Sequence, residues 1–154
     1  MVGEGAEVHE SQSTPSQVVE RFLDLLRGGD VDRAMELLAV DVEYANVGLL
    51  TVHGRERVRR IFRATIGRAA SGFDVYVHAI SADGSTVLTE RTDVLMARRL
   101  HIQLWVCGRF EVHDGQIVLW RDYFDRMSLI AANVRGLLGV VFPAARAARP
   151  ADQG

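Results

Sequence analysis

The chain contains no lysine; all 18 of its basic residues are arginine. Schiff-base and pyridoxal-lysine chemistry, which need an ε-amine, are therefore excluded. Cys107 is the only cysteine, so no intramolecular disulfide and no cysteine-rich zinc site can form, which fits a reducing compartment. With no histidine pattern beside it, Cys107 reads as a small buried residue. Long apolar runs are also missing. MVGEGAEVHESQST at the amino end lacks a signal-peptide core, and LLGVVF near the carboxyl end is far too short to cross a bilayer. A cytoplasmic protein without stable membrane insertion is expected. The GEG near the start follows no strand, so it is not a dinucleotide fingerprint.

Charge of one sign is not concentrated anywhere. Formal net charge is −2 with the arginines scattered, which argues against a nucleic-acid partner. The arginine-dense RERVRRIFR at 55–63 is interrupted by Val58, Ile61 and Phe62 at helical spacing, the pattern of a solvated helix face. The histidines are dispersed as well: His9 in a polar tail, His53 at a helix start, His78 and His101 in strands, His113 in a turn. None has metal-site spacing, so no metal and no cofactor are expected.

What remains is an ordinary globular composition, 48% hydrophobic and 25% charged over 154 residues, enough for one domain with a real core. The expected organisation is a tail over 1–13, a single domain over 14–142 and a second tail over 143–154. Thr14-Pro15 looks like a helix cap followed by proline in the first turn, and Val18, Val19, Phe22, Leu25 and Leu26 continue at helical spacing. A second helix is expected from the Asp30 cap through Leu38, and a third from His53-Gly54 through Ile66. After Ser71-Gly72 the period changes to two. Strands are expected at 73–82, 85–97, 100–112 and 116–124, with shorter ones at 42–46 and 49–52. A helical pattern resumes at Asp125 through Met127, Ile130, Val134 and Leu138. The fold class is α+β: a curved, mixed but mostly antiparallel sheet with three to four helices on one side.

Two stretches break the apolar alternation of these strands. In ERTDVLM, 90–96, Arg91 and Asp93 share a face with Val87 and Leu95; in WRDYFD, 120–125, Asp122 shares one with Val118, Trp120 and Phe124. If His113-Asp114-Gly115 is a three-residue loop, Val112 pairs with Gln116 and Asp122 falls opposite Val106. If Arg98-Arg99 is a two-residue turn, Val106 also falls opposite Arg91. Arg91 and Asp122 then lie two strand spacings apart, roughly 10 Å between Cα atoms, which an arginine can span. Singly, each residue is most simply structural, the pair a salt bridge and Asp125 a helix cap. Together, an arginine-bridged pair of carboxylates inside an apolar concavity favours function. Two close carboxylates resist double ionisation, so the set holds one proton, and one aspartate serves as base while the other serves as acid.

At RTD 91–93, WRDYFD 120–125 and EYAN 43–46 the chain resembles limonene-1,2-epoxide hydrolases, in motif order and approximate spacing across most of residues 15–130. The resemblance implies Asp122 as general base, Asp93 as general acid and Arg91 as their bridge. Tyr44 and Asn46, two apart on one strand and so facing the same way, are implied to hold the water. It further implies a cone-shaped sheet of the NTF2-like and cystatin-like type, a homodimer, no cofactor, and a hydrophobic epoxide of terpene, lipid or sterol type opened to a vicinal diol in one step. Two rival readings share the fold. An isomerase or dehydratase acting on a steroid or polyketide needs only one aspartate as a proton shuttle. A non-catalytic module that binds a small ligand would keep the acidic pair for structure alone.

Overall fold

The computed structural model of the protein describes residues 13–66, 71–97 and 100–124. The helix expected from Asp125, residues 1–12, the Arg98-Arg99 turn and the carboxyl tail lie outside the described residues. Helix α1 spans Pro15–Arg27, α2 Val31–Glu36 and α3 Arg55–Thr65. Thr14 caps α1 as expected, in a reciprocal box: the Gln17 N–H donates to Thr14 Oγ1 (3.3 Å) and the Thr14 N–H to Gln17 Oε1 (2.9 Å). Asp30 caps α2 by accepting from the Arg33 N–H. That helix ends at Glu36, short of the expected Leu38. Leu38 is fully buried, so its apolar spacing was a true core signal, but it opens a strand instead.

Six strands follow: β1 Leu38–Asn46, β2 Leu50–His53, β3 Ser71–Asp83, β4 Thr86–Ala97, β5 Leu100–His113 and β6 Gln116–Tyr123. They form one curved, open sheet in the order β2-β1-β6-β5-β4-β3. Only β1 and β6 pair in parallel. This is the expected α+β class. The inner face is covered by α1 packing on β3, β4 and β5 and by α3 packing on β1 and β2. Phe22 from α1 and Phe62 from α3 meet Trp120 with ring centroids 4.9 and 5.3 Å away. An aromatic cluster therefore fills one end of the concavity. On the outer face Cys107 is half-buried, more open than the buried residue expected, because that side of β5 has no covering layer among the described residues.

The β5–β6 register differs from expectation in two one-residue steps that add in the same direction. The connection is a two-residue turn, with His113 paired to Gln116, because Asp114 joins Gly115 at positive φ (50° and 73°). Both central residues are then left-handed, as the right-handed strand twist requires of a tight hairpin. That moves every pair by one residue and would turn Asp122 outward. A bulge reverses it. Glu111 pairs with Leu119 while Val112 pairs with Ile117, so Val118 is the extra residue. The summed shift of two keeps Asp122 facing inward but opposite Gly108 instead of Val106. Arg91 does pair with Val106.

Gly108 is required at this position. It lies between Thr89 on β4 and Asp122 on β6. A Cβ there would collide with Arg91 Nη1 and come within 2.7 Å of Thr89 Oγ1 and 3.0 Å of the Phe110 ring. The missing side chain is the gap through which the guanidinium crosses β5. Gly108→Ala is expected to lower stability by about 1–3 kcal/mol, as overpacking of a filled site does. Urea unfolding measures this, and an unchanged midpoint would show that the crossing does not depend on the glycine.

Candidate active site

Alternation on three strands brings the polar residues together. On β4, Thr89, Arg91 and Asp93 stand in a row on the inner face, all buried, with Arg91 at 0% exposure. On β6 the same face carries Trp120 and Asp122; on β1 it carries Tyr44 and Asn46. Parallel pairing sets Tyr44 beside Trp120 and Asn46 beside Asp122. All five residues singled out from the sequence thus converge on one place.

Arg91 organises the set. Its Nε donates to Asp93 Oδ1 (2.9 Å) and its Nη2 to Asp93 Oδ2 (3.2 Å), a two-pronged contact. The same Nη2 reaches Asp122 Oδ1 at 2.7 Å, and Nη1 donates to Thr89 Oγ1 at 3.2 Å. The guanidinium also lies 5.9 Å from the centre of the Phe110 ring. Trp120 Nε1 donates to Asp122 Oδ1 at 2.9 Å. On the far side, Asn46 Nδ2 donates to Tyr44 Oη at 2.7 Å, which fixes the phenol and the carboxamide against each other.

Burial and charge decide the protonation states. Burial alone would weaken the hold of Arg91 on its proton, but the Asp122 and Asp93 carboxylates outweigh it and keep the guanidinium firmly charged. Asp93 is pushed up to about 6: burial raises it most, Arg91 opposes, and the Asp122 charge adds to the rise. Tyr44 is raised well above the usual tyrosine range by burial and then by Asp122, against the Asn46 hydrogen bond, so it stays a neutral phenol. One positive and two negative groups leave a surplus negative charge, which one proton removes. Asp93, the carboxyl that burial raises, is the member of the set inclined to hold that proton.

Tyr44, Asn46, Asp93 and Asp122 line a cavity of about 230 Å³, walled by apolar groups including Ile61, Phe62, Leu95 and Leu104. Arg91 lies behind this wall. It does not itself line the cavity. Among the described residues no group of three His, Cys, Asp or Glu is placed to ligate a metal. Three members of the site were not singled out from the sequence: Trp120, Thr89 and Gly108. Each left a trace. Trp120 and Thr89 sit two residues from Asp122 and Arg91 and so share their faces, and a lone glycine inside a strand marks a close approach.

Comparison with known proteins supports the same fold and family. The family model for the limonene-1,2-epoxide hydrolase catalytic domain matches residues 13–135. The chain is 46% identical over 129 residues to the epoxide hydrolase EphG of Mycobacterium tuberculosis, covering 84% of this chain and 85% of EphG. A solved structure of an M. tuberculosis LEH-like epoxide hydrolase superposes with a TM-score of 0.81 at 42% identity, covering 88% of this chain and 95% of that one. An NTF2-like protein of unknown function from Cytophaga hutchinsonii shares the fold alone, at 19% identity and a TM-score of 0.66 over 79% of this chain and 98% of that one. Motifs, fold and extent of match together show that the chain belongs to the limonene-1,2-epoxide hydrolase family.

Proposed function

We propose that the protein hydrolyses a hydrophobic epoxide to a vicinal diol in one step, by acid- and base-assisted attack of water. The observation that carries this reading is the buried Arg91 shared by two carboxylates at the wall of an apolar cavity. Opening an unactivated epoxide needs a proton withdrawn from water and a proton delivered to the departing oxygen. A pair that holds one proton meets both needs. Asp122 takes a proton from a water positioned with Tyr44 and Asn46, and the water oxygen bonds to one epoxide carbon. The ring C–O bond breaks as Asp93 donates its proton to that oxygen. Asp122 is left protonated and Asp93 ionised, so one proton passed back across the pair restores the resting state. No ester to the protein forms, and every proton moves through the chain's own side chains.

The apolar walls favour a substrate whose one polar feature is the epoxide. The volume enclosed by the described residues, about 230 Å³, is below the roughly 300–1,000 Å³ of pockets for drug-sized ligands. A terpene-type epoxide fits that scale; a lipid or sterol epoxide would enter by its epoxide end.

Asp122→Asn and Asp93→Asn are each expected to lower turnover of an apolar epoxide by roughly 10²- to 10⁴-fold, with far-ultraviolet circular dichroism unchanged. Near-normal turnover in either folded variant would contradict the assignment. The pH profile follows from the raised Asp93. Its acid form is present below about 6 and is lost above it. The rate constant kcat/KM is therefore expected to decline about tenfold per pH unit on the alkaline side of that value. Initial rates from acid to mildly alkaline buffers measure this, and a flat profile across neutrality would remove Asp93 as the acid.

A further inference from the structure

Among the described residues, both side-chain contacts to the Asp122 carboxylate fall on one oxygen. Arg91 Nη2 is 2.7 Å from Oδ1 and Trp120 Nε1 is 2.9 Å from the same atom. Among the described residues Oδ2 accepts no hydrogen bond, and Asp122 lines the cavity. An oxygen that already receives two donors is a poor proton acceptor, because taking a proton means giving up a charge-assisted contact. We propose that Trp120 is a positioning residue for the reaction: its indole N–H, together with Arg91, occupies Oδ1, turns Oδ2 to the cavity and makes Oδ2 the atom that receives the water proton. The proposal rests on the reading of Asp122 as the base.

Trp120 is suited to hold an atom still. It is 2% exposed and wedged among Phe22, Tyr44, Phe62 and Phe110. Rotation of the indole would require the aromatic core to repack, so the direction of its N–H is set by packing. A carboxylate held only by Arg91 would keep a contact that Asp93 also claims. With the indole added, Asp122 is fixed from two sides, β4 and its own strand. Among the described residues, the titratable groups facing this pair are Arg91 and Asp93 from β4 and Tyr44 from β1. The other elements packed here, α1, α3 and β5, bring Phe22, Phe62 and Phe110, which carry no charge.

Two measurements on the full chain test the proposal. The first is ¹⁵N-indole NMR of the substrate-free protein. There are two tryptophans, and Trp105, whose indole donates to Glu90 on the outer face, is the internal reference, assigned with Trp105→Phe. The Trp120 N–H resonance is expected to move as the buried Asp93, pushed up to about 6, loses its proton beside Asp122, and to lose that movement in Asp122→Asn. A Trp120 resonance that is flat, or that moves unchanged in Asp122→Asn, overturns the tether. The second is Trp120→Phe, which keeps a ring in the core and removes the donor. Loss of a hydrogen bond to the ionised carboxylate disfavours that form, so the acid limb of kcat/KM is expected at higher pH. A decline in kcat of roughly 10- to 100-fold should accompany it, as for loss of a hydrogen bond to a charged group, with KM nearly unchanged. A folded Trp120→Phe enzyme with the parental kcat and pH profile assigns the indole to packing alone. If the resonance titrates as expected but no epoxide is hydrolysed by the parent protein, the tether stands and the hydrolase reading fails.

Discussion

The structure depends on a fully buried guanidinium. Removing an arginine from water costs several kcal/mol even after the protein relaxes, unless opposite charges and hydrogen bonds replace the solvent. Arg91 has these in two carboxylates and a threonine hydroxyl. The dependence runs both ways: without Arg91, Asp93 and Asp122 would be like charges sharing a dry site. The surrounding architecture serves this contact. Gly108 opens the gap in β5, the Val118 bulge turns Asp122 inward, and the aromatic cluster closes the end of the concavity.

In the proposed mechanism the same contact gives the site its chemistry. A structural ion pair between one arginine and one carboxylate would be neutral and finished. A second carboxylate on the same guanidinium makes the set one negative charge too rich, and burial turns that excess into affinity for a proton. On the proposed reading, acid and base differ by surroundings alone. Asp93 holds both of its oxygens on Arg91, whereas among the described residues Asp122 takes both side-chain contacts on one oxygen. Tyr44 and Asn46 complete the polar edge of a cavity whose walls are otherwise mostly apolar.

Much of this was legible in the sequence, for reasons that can be named. Period-two alternation in RTD and WRDYFD put the right side chains on the inner face, and Thr14 and Asp30 marked two helix starts because short polar side chains satisfy free N–H groups. The β5–β6 register was not legible. Asp114-Gly115 supplies two left-handed residues instead of one, and no local signal announces a bulge at Val118. Those errors were of equal size and like direction, so the face survived while the neighbour changed from Val106 to Gly108. The end of α2 was hidden for a different reason: Leu38 satisfies helical spacing and strand burial equally, and only the tertiary sheet decides between them. Hydrogen bonds such as that from Trp120 to Asp122 need side-chain directions, which spacing alone does not supply.

The central claim is that water attacks the epoxide directly with two aspartates moving protons. The measurement that tests it most directly is a single turnover of an apolar epoxide by excess protein in ¹⁸O-labelled water, with mass spectrometry of both diol and protein. The account predicts one labelled oxygen in the diol and none in the protein. Unlabelled diol with label in an aspartate carboxylate would show that a carboxylate attacks first, and would contradict it.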